Sequence, residues 1–196
     1  MRTLLAIAIL LICQPAEAGK KSDARLIQRA RSAISQAPVP SNAQGVAYSR
    51  ELRFSWIPFS PPFGGFVKAG RAVAFDRSCV DGRCQLSNPR FVRSLGGGVT
   101  ATVGVGLPWS ISHTERVIAF RTRKETNDWA TKVWVGGHVQ AFAAAGIPGK
   151  LWIYSVGPTW DNRPGTEVWK RELFVGLFAS AGVSAGLDVQ WPQKVK

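Results

Sequence analysis

Residues that carry chemistry are few in this chain. It holds two histidines, three cysteines, one methionine and two tyrosines, and its 12 aspartates and glutamates face 25 lysines and arginines. His113 and His138 lie far in sequence from each other and from Cys79 and Cys84, so no zinc-ligand spacing arises. No glycine-rich phosphate loop and no dinucleotide fingerprint occurs. No metal or other cofactor is expected, and no specific nucleic-acid motif is found. An Asn-x-Ser/Thr acceptor is also missing, which favours a bacterial envelope over a eukaryotic secretory route.

Long apolar runs are equally scarce. Leu4 to Cys13 is one, and it is about half of the roughly 20 residues that a membrane-spanning helix needs. It follows the basic start Met1-Arg2 and precedes Ala16-Glu17-Ala18, a small-x-small site. The three parts together read as a secretory signal peptide cleaved between Ala18 and Gly19. Ile12 before Cys13 argues against a lipoprotein. The chain is therefore expected to be exported to the periplasm, the outer membrane or the medium.

What remains is one domain's length and strongly basic. Removing Arg2 and Glu17 with the signal leaves the net charge at +13. Such an excess attracts anionic partners at long range, anionic lipid or acidic glycan among them, or an acidic envelope protein. Cys79 and Cys84 flank Asp81-Gly82, a preferred hairpin turn, and in an oxidising compartment they are expected to pair as a disulfide at the hairpin tip.

The organisation changes once along the chain. Residues 19–47 open with an amphipathic helix, Leu26, Ala30 and Ala33 sharing one face with Ile34 beside it, and pass into a linker at Ala37-Pro38-Val39-Pro40. That apolar stripe is alanine-rich, so packing on the rest of the protein is expected over insertion into a membrane. From residue 48 to 196 the period is two. Val99 to Leu107 places an apolar residue at every odd position and Thr or Gly at every even one, and Leu173 to Trp191 repeats the pattern beyond ordinary strand length. The long run is expected to bend or bulge at one of its glycines, or to be two strands sharing a corner. Lys124 to Asp128 reads as a polar turn, and His113 as a turn residue. The fold class is mostly β: an antiparallel meander of about eight strands, as an up-and-down barrel or a sandwich, with one short N-terminal helix.

An outer-membrane β-barrel fits the export, the alternation and the placement of Trp109, Trp134, Trp152, Trp160 and Trp191 near strand ends. Arg116 and Arg121, which fall on opposite faces of one expected strand, count against it. The favoured alternative is a non-enzymatic envelope or secreted protein that binds an anionic or membrane-surface partner. Its expected contacts are a rim of Arg121, Arg123, Lys124, Lys132, Lys150, Arg163, Lys170 and Arg171 with Trp129 and Trp160 beside turns. A third reading is a metal-free hydrolase, from Gly182-Val183-Ser184-Ala185-Gly186. That string lies inside a period-two run with no helix after it and both histidines before it, so catalysis is the weaker expectation. Amino-terminal sequencing of the exported protein should start at Gly19; a start at Met1 would remove the signal assignment.

Overall fold

The computed structural model describes residues 19–56 and 62–193; the expected signal peptide, residues 1–18, lies outside the described residues. Among the described residues there are two helices and nine strands: α1 (Gly19–Gln36), β1 (Gly45–Trp56), β2 (Phe63–Val80), β3 (Arg83–Gly106), β4 (Trp109–Phe120), α2 (Arg123–Thr131), β5 (Trp134–Ile147), β6 (Lys150–Val156), β7 (Thr159–Trp160), β8 (Thr166–Val175) and β9 (Phe178–Gln193). All strand pairs are antiparallel, in one sheet of order β6-β5-β9-β3-β2-β1-β4-β8 with β7 also on β5. The sheet curls until it is nearly a closed barrel. Its two terminal strands, β6 and β8, face each other across a seam without a ladder. Gly149 N donates to Phe174 O at 2.8 Å at one mouth of that seam.

Several elements differ from the reading of the sequence, each for a local reason. The segment taken as a polar turn is helix α2, whose start is capped by Thr122: its hydroxyl accepts from the Glu125 backbone N–H at 3.1 Å, and the Glu125 carboxylate accepts from Arg121 N at 2.9 Å. The Thr-x-x-Glu spacing of a capping box was present in the sequence, although the carboxylate reaches the residue before the cap rather than the cap itself. β4 ends at Phe120, so Arg121 lies past the strand and His113 lies within it. The segment around Pro89, weak as a strand, belongs to β3, because a register shift between Ala74 and Asp76 and a positive φ of 52° at Asn88 accommodate the proline. The overlong C-terminal run breaks at Gly176-Leu177 into β8 and β9. Cys79 and Cys84 are disulfide-bonded beside the Asp81-Gly82 turn, where Asp81 and Gly82 have φ of 50° and 73°.

The two helices cap one end of the barrel, called here the near end, from opposite sides of the sheet. Leu26, Ala30, Ala33 and Ile34 of α1 pack on Val46, Tyr48, Val73, Phe75, Phe91 and Val117, which all point away from the barrel axis. Inside, α2 lies across the bore: Trp129 and Ala130 are buried among the inward-facing Ala47, Ala72, Ala74, Val92 and Phe120. The Trp129 and Phe120 rings meet at a 5.7 Å centroid distance. Gly45 is required at this point, because a Cβ there would collide with the side chain of Thr126, which is fully buried under the plug. Truncating the plug with Trp129→Ala should therefore lower the free energy of unfolding by about 3–5 kcal/mol, as for other large aromatic deletions; equilibrium unfolding in urea measures it, and a loss under about 1 kcal/mol would mean that α2 does not seat in the bore.

Candidate functional site

The register fixes which face each strand residue occupies. In β3 the even residues Thr100 and Thr102 are buried towards the axis, while Val99, Val103 and Val105 point out and are 67%, 69% and 70% exposed. Other strands repeat this. Leu52 on β1, Val67 on β2, Ile111 on β4, Val139 on β5, Tyr154 on β6, Leu173 on β8 and Val183 and Leu187 on β9 are all exposed on the outer surface. Trp56 and Trp109 pair across β1 and β4 at the far end, both outward and exposed, with Phe63 nearby.

A row of charge borders this apolar surface. Through successive ladder partners, Arg171 of β8 lies beside Glu115 of β4, then Arg50 of β1, Arg71 of β2, Arg93 of β3 and Trp191 of β9. Glu115 holds it together, accepting from Tyr48 Oη at 2.7 Å and forming an ion pair with Arg50, whose Nε lies 3.5 Å away. Arg71 binds Asp23 and Ser22 of α1, and Arg93 Nε donates to Gln193 at 3.1 Å. On one side of the row α1 covers the outer surface, and on the other the surface is bare and apolar.

The inner surface is polar and apolar in nearly equal measure and encloses a cavity of about 560 Å³. Lys68 bridges Glu51 at 3.7 Å and Asp188 at 3.5 Å. Asp188 also meets Arg163 at 3.2 Å, and Arg163 folds back on Asp161. Gln190 continues the chain of contacts, donating to Trp129 O at 3.0 Å, so the loop after β7 is tied to the plug helix. Phe66 stands in the middle, between the Arg53 guanidinium 4.0 Å from its ring and the His138 ring at 5.9 Å. Gly186 makes room for this stack, since a Cβ there would fall 2.7 Å from Phe66 and 2.8 Å from His138.

The expected anionic-partner residues are only partly brought together. Arg121, Arg123, Lys124 and Lys132 are exposed around α2 at the near end, and Arg171 is outward in the charged row. Lys150 sits at the far end. Lys170 and Arg163 turn inward, to Glu172 at 3.1 Å and to Asp161. Trp129, expected as an exposed contact, is 3% exposed in the plug, and Trp160 lines the cavity. Sequence reasoning missed Arg50, Arg71 and Arg93, whose alignment depends on register, and Arg53, whose importance depends on closure. Trp134 also turns inward, donating to Asp128 O at 3.3 Å. Arg116 faces inward to Glu167 at 3.3 Å. Since Arg121 is off the strand, the two arginines do not load both faces of β4.

Ser184 lies in mid-strand with Gly182 and Gly186, not at a strand-to-helix turn, and faces the cavity one diagonal from His138. Among the described residues no hydrogen bond joins the two. His113 is outward, its Nε2 3.5 Å from Glu115. Among the described residues no cluster of His, Cys, Asp and Glu has the geometry of a metal site.

No family model matches the sequence, and neither does any curated protein. A search of solved structures gave a chain from the structure of infectious bursal disease virus Gx strain, 11% identical over 79% of this chain and 54% of that one, with a TM-score of 0.10. A superposition that poor bears on neither fold nor function.

The Asp161–Arg163 clamp makes a pH prediction. Burial pushes the Asp161 carboxyl up, but the Arg163 side chain and backbone N–H outweigh it and hold the carboxyl below its ordinary range. A carboxyl with a lower pKa folded than unfolded stabilises the fold at neutral pH, and that contribution disappears as pH falls through the folded value. Wild type should thus be more stable than Asp161→Asn at pH 7, with the difference closing below about pH 4; a difference independent of pH would contradict the clamp.

Proposed function

We propose that the mature chain is a small integral β-barrel of a bacterial outer membrane, plugged at its near end and acting as a binding protein of the envelope rather than as a diffusion pore. The observation that carries this reading is the inversion of face chemistry: the apolar side of nearly every strand looks outward and is exposed, while the Gly/Ser/Thr and charged side looks inward. In water this arrangement is unfavourable, at roughly 25 cal/mol for each Å² of apolar surface left wet. In hydrocarbon it is what a membrane barrel requires, apolar out and polar in with period two. Isolated apolar side chains on a soluble surface would need no explanation, but a contiguous belt on this scale does.

A tilted strand crosses a bilayer in about 9–11 residues; beyond the arginine row β3 and β9 continue for 13 residues, Ser94 to Gly106 and Phe178 to Gln190, whereas β1 and β4 continue for six, to Trp56 and Trp109. β6 is a strand of 7 residues. Eight strands is the smallest size of such barrels, and its interior is just wide enough for side chains to fill. No described helix is long and apolar enough to cross a membrane. Outward Trp56, Phe63 and Trp109 suit the far interface, and Trp191 with the arginine row suits the near one.

The row also absorbs the reading drawn from net charge. Arg93 and Arg171 at the edge of the apolar belt suit contact with anionic headgroups, an unpaired basic residue contributing about 1 kcal/mol near such a surface, while Arg50 and Arg71 are already paired with Glu115 and Asp23. The basic character then serves a lipid surface around the barrel, rather than a rim at the strand ends.

Two measurements test the proposal. The exported chain should sediment with outer membranes, resist extraction by salt and need detergent to become monomeric; a soluble monomer in periplasm or medium would refute it. Val103→Arg should destabilise the bilayer-embedded barrel by about 2–4 kcal/mol if it lies near the midplane, and Thr102→Ser at the neighbouring inward position should cost far less. Equal effects at both positions would contradict the assignment of faces.

A further inference from the structure

We propose that the cavity takes a single-chain amphiphile with an anionic head, its hydrocarbon lying along the β6–β8 seam and its head held by Arg53. The proposal rests on the membrane reading above, which supplies the source of such a ligand.

The cavity is lined in two ways. Next to the seam its wall is apolar: Phe142 of β5, Leu151 and Ile153 of β6, Phe174 of β8 and Phe178 of β9 all turn inward there. The rest of the wall is more polar: Thr100 of β3 and Glu51, Arg53 and Ser55 of β1 face the cavity, and Ser110, Ser112 and Thr114 of β4 lie directly beside β8. Thr100, which lines the cavity, carries a buried hydroxyl without a hydrogen-bond partner among the described residues. A water-filled bore has no use for five large apolar groups on one wall, and a dry core has no use for the rest. A volume of about 560 Å³ is within the range of small-ligand sites.

The charge inside identifies the head. Glu51, Asp188, Asp161, Glu167 and Glu172 are each held by Lys68, Arg163, Arg116 or Lys170. Arg53 makes no salt bridge among the described residues; its Nε donates to Ser55 Oγ at 3.2 Å and its guanidinium lies on the face of Phe66. Glu51 and Glu172 lie near enough to act on its charge, but each is ion-paired to a lysine and neither to Arg53, so this guanidinium retains donors for a carboxylate or phosphate. The seam supplies the route. β6 and β8 share no ladder, and Ile153 is 54% exposed although it faces inward, so the apolar wall opens sideways where the proposed belt meets lipid.

Photolabelling of the full mature chain in phosphatidylcholine vesicles tests this, with a diazirine-bearing dodecanoate as probe and mass spectrometry to locate the label. Label on inward residues of the seam wall, Ile153 or Phe174, is expected in addition to label on outward residues such as Val103. Unlabelled dodecanoate or lysophosphatidylglycerol should compete for the inward label, and dodecyltrimethylammonium should not; whichever anion competes better identifies carboxylate or phosphate as the head. Arg53→Met should weaken the inward label about ten-fold, the order of one charge-assisted hydrogen bond, with outward label unchanged. The charge selectivity of competition in wild type stands even if that variant fails to fold. Outward label without inward label, or equal competition by the cation, would overturn this proposal alone. Absence of outward label would instead overturn the membrane reading beneath it.

Discussion

Everything in this fold depends on which way the period-two faces point. A sheet of nine strands curls nearly shut, and the side it turns inward is the one made of Gly, Ser and Thr. Small inward residues allow tight curvature and leave space for a few large groups, Phe66 and the lumen charges among them. The large aliphatic residues are then forced outward. Placed the other way, with Val99, Val103, Val105 and Val183 inside, the bore of an eight-strand sheet would be overfilled and the outside would be bare glycine. Face choice therefore sets curvature, cavity and surface together.

The near end answers the same constraint by two different means. Outside, where α1 covers the sheet, the outward residues Val46, Tyr48, Val73 and Phe75 form an ordinary core with a helix. Inside, α2 fills the bore with Trp129, and Gln190 and Arg163 tie that plug to β9 and the loop after β7. The charged row from Arg171 to Arg93 lies between the helix-covered surface and the bare one. In the proposed setting that row is the boundary between water and lipid, which gives the strong positive charge a location. The seam is the exception to this order: an unpaired edge is costly in hydrocarbon, and the shortness of β6 confines it beside the apolar wall of the cavity.

Much of this was legible in the residues. The alternation in Val99 to Leu107, the helix over Leu26 to Ile34 and the hairpin at Asp81-Gly82 are local signals, and local physics decides them. α2 was legible too, in Thr122 and Glu125, but its polar sequence hid a structural role that only Trp129 and Ala130 carry. The direction of the faces was not readable, because period two says that a strand has two sides without saying which is inside. Arg53, Lys68 and Asp188 come from three strands, and Arg50, Arg71 and Arg93 share a row only through register. Such sets form by closure, and no spacing in the chain announces them.

Spin labels placed singly from Val99 to Gly106 on the vesicle-embedded chain, with the native disulfide retained, test the orientation of the faces most directly. Oxygen dissolved in the bilayer should relax labels at Val99, Val103 and Val105 strongly and those at Thr100, Thr102 and Gly104 weakly, an alternation with period two. Uniform access of a water-soluble nickel chelate to both sets, with no alternation in oxygen, would contradict the outward apolar belt on which this account rests.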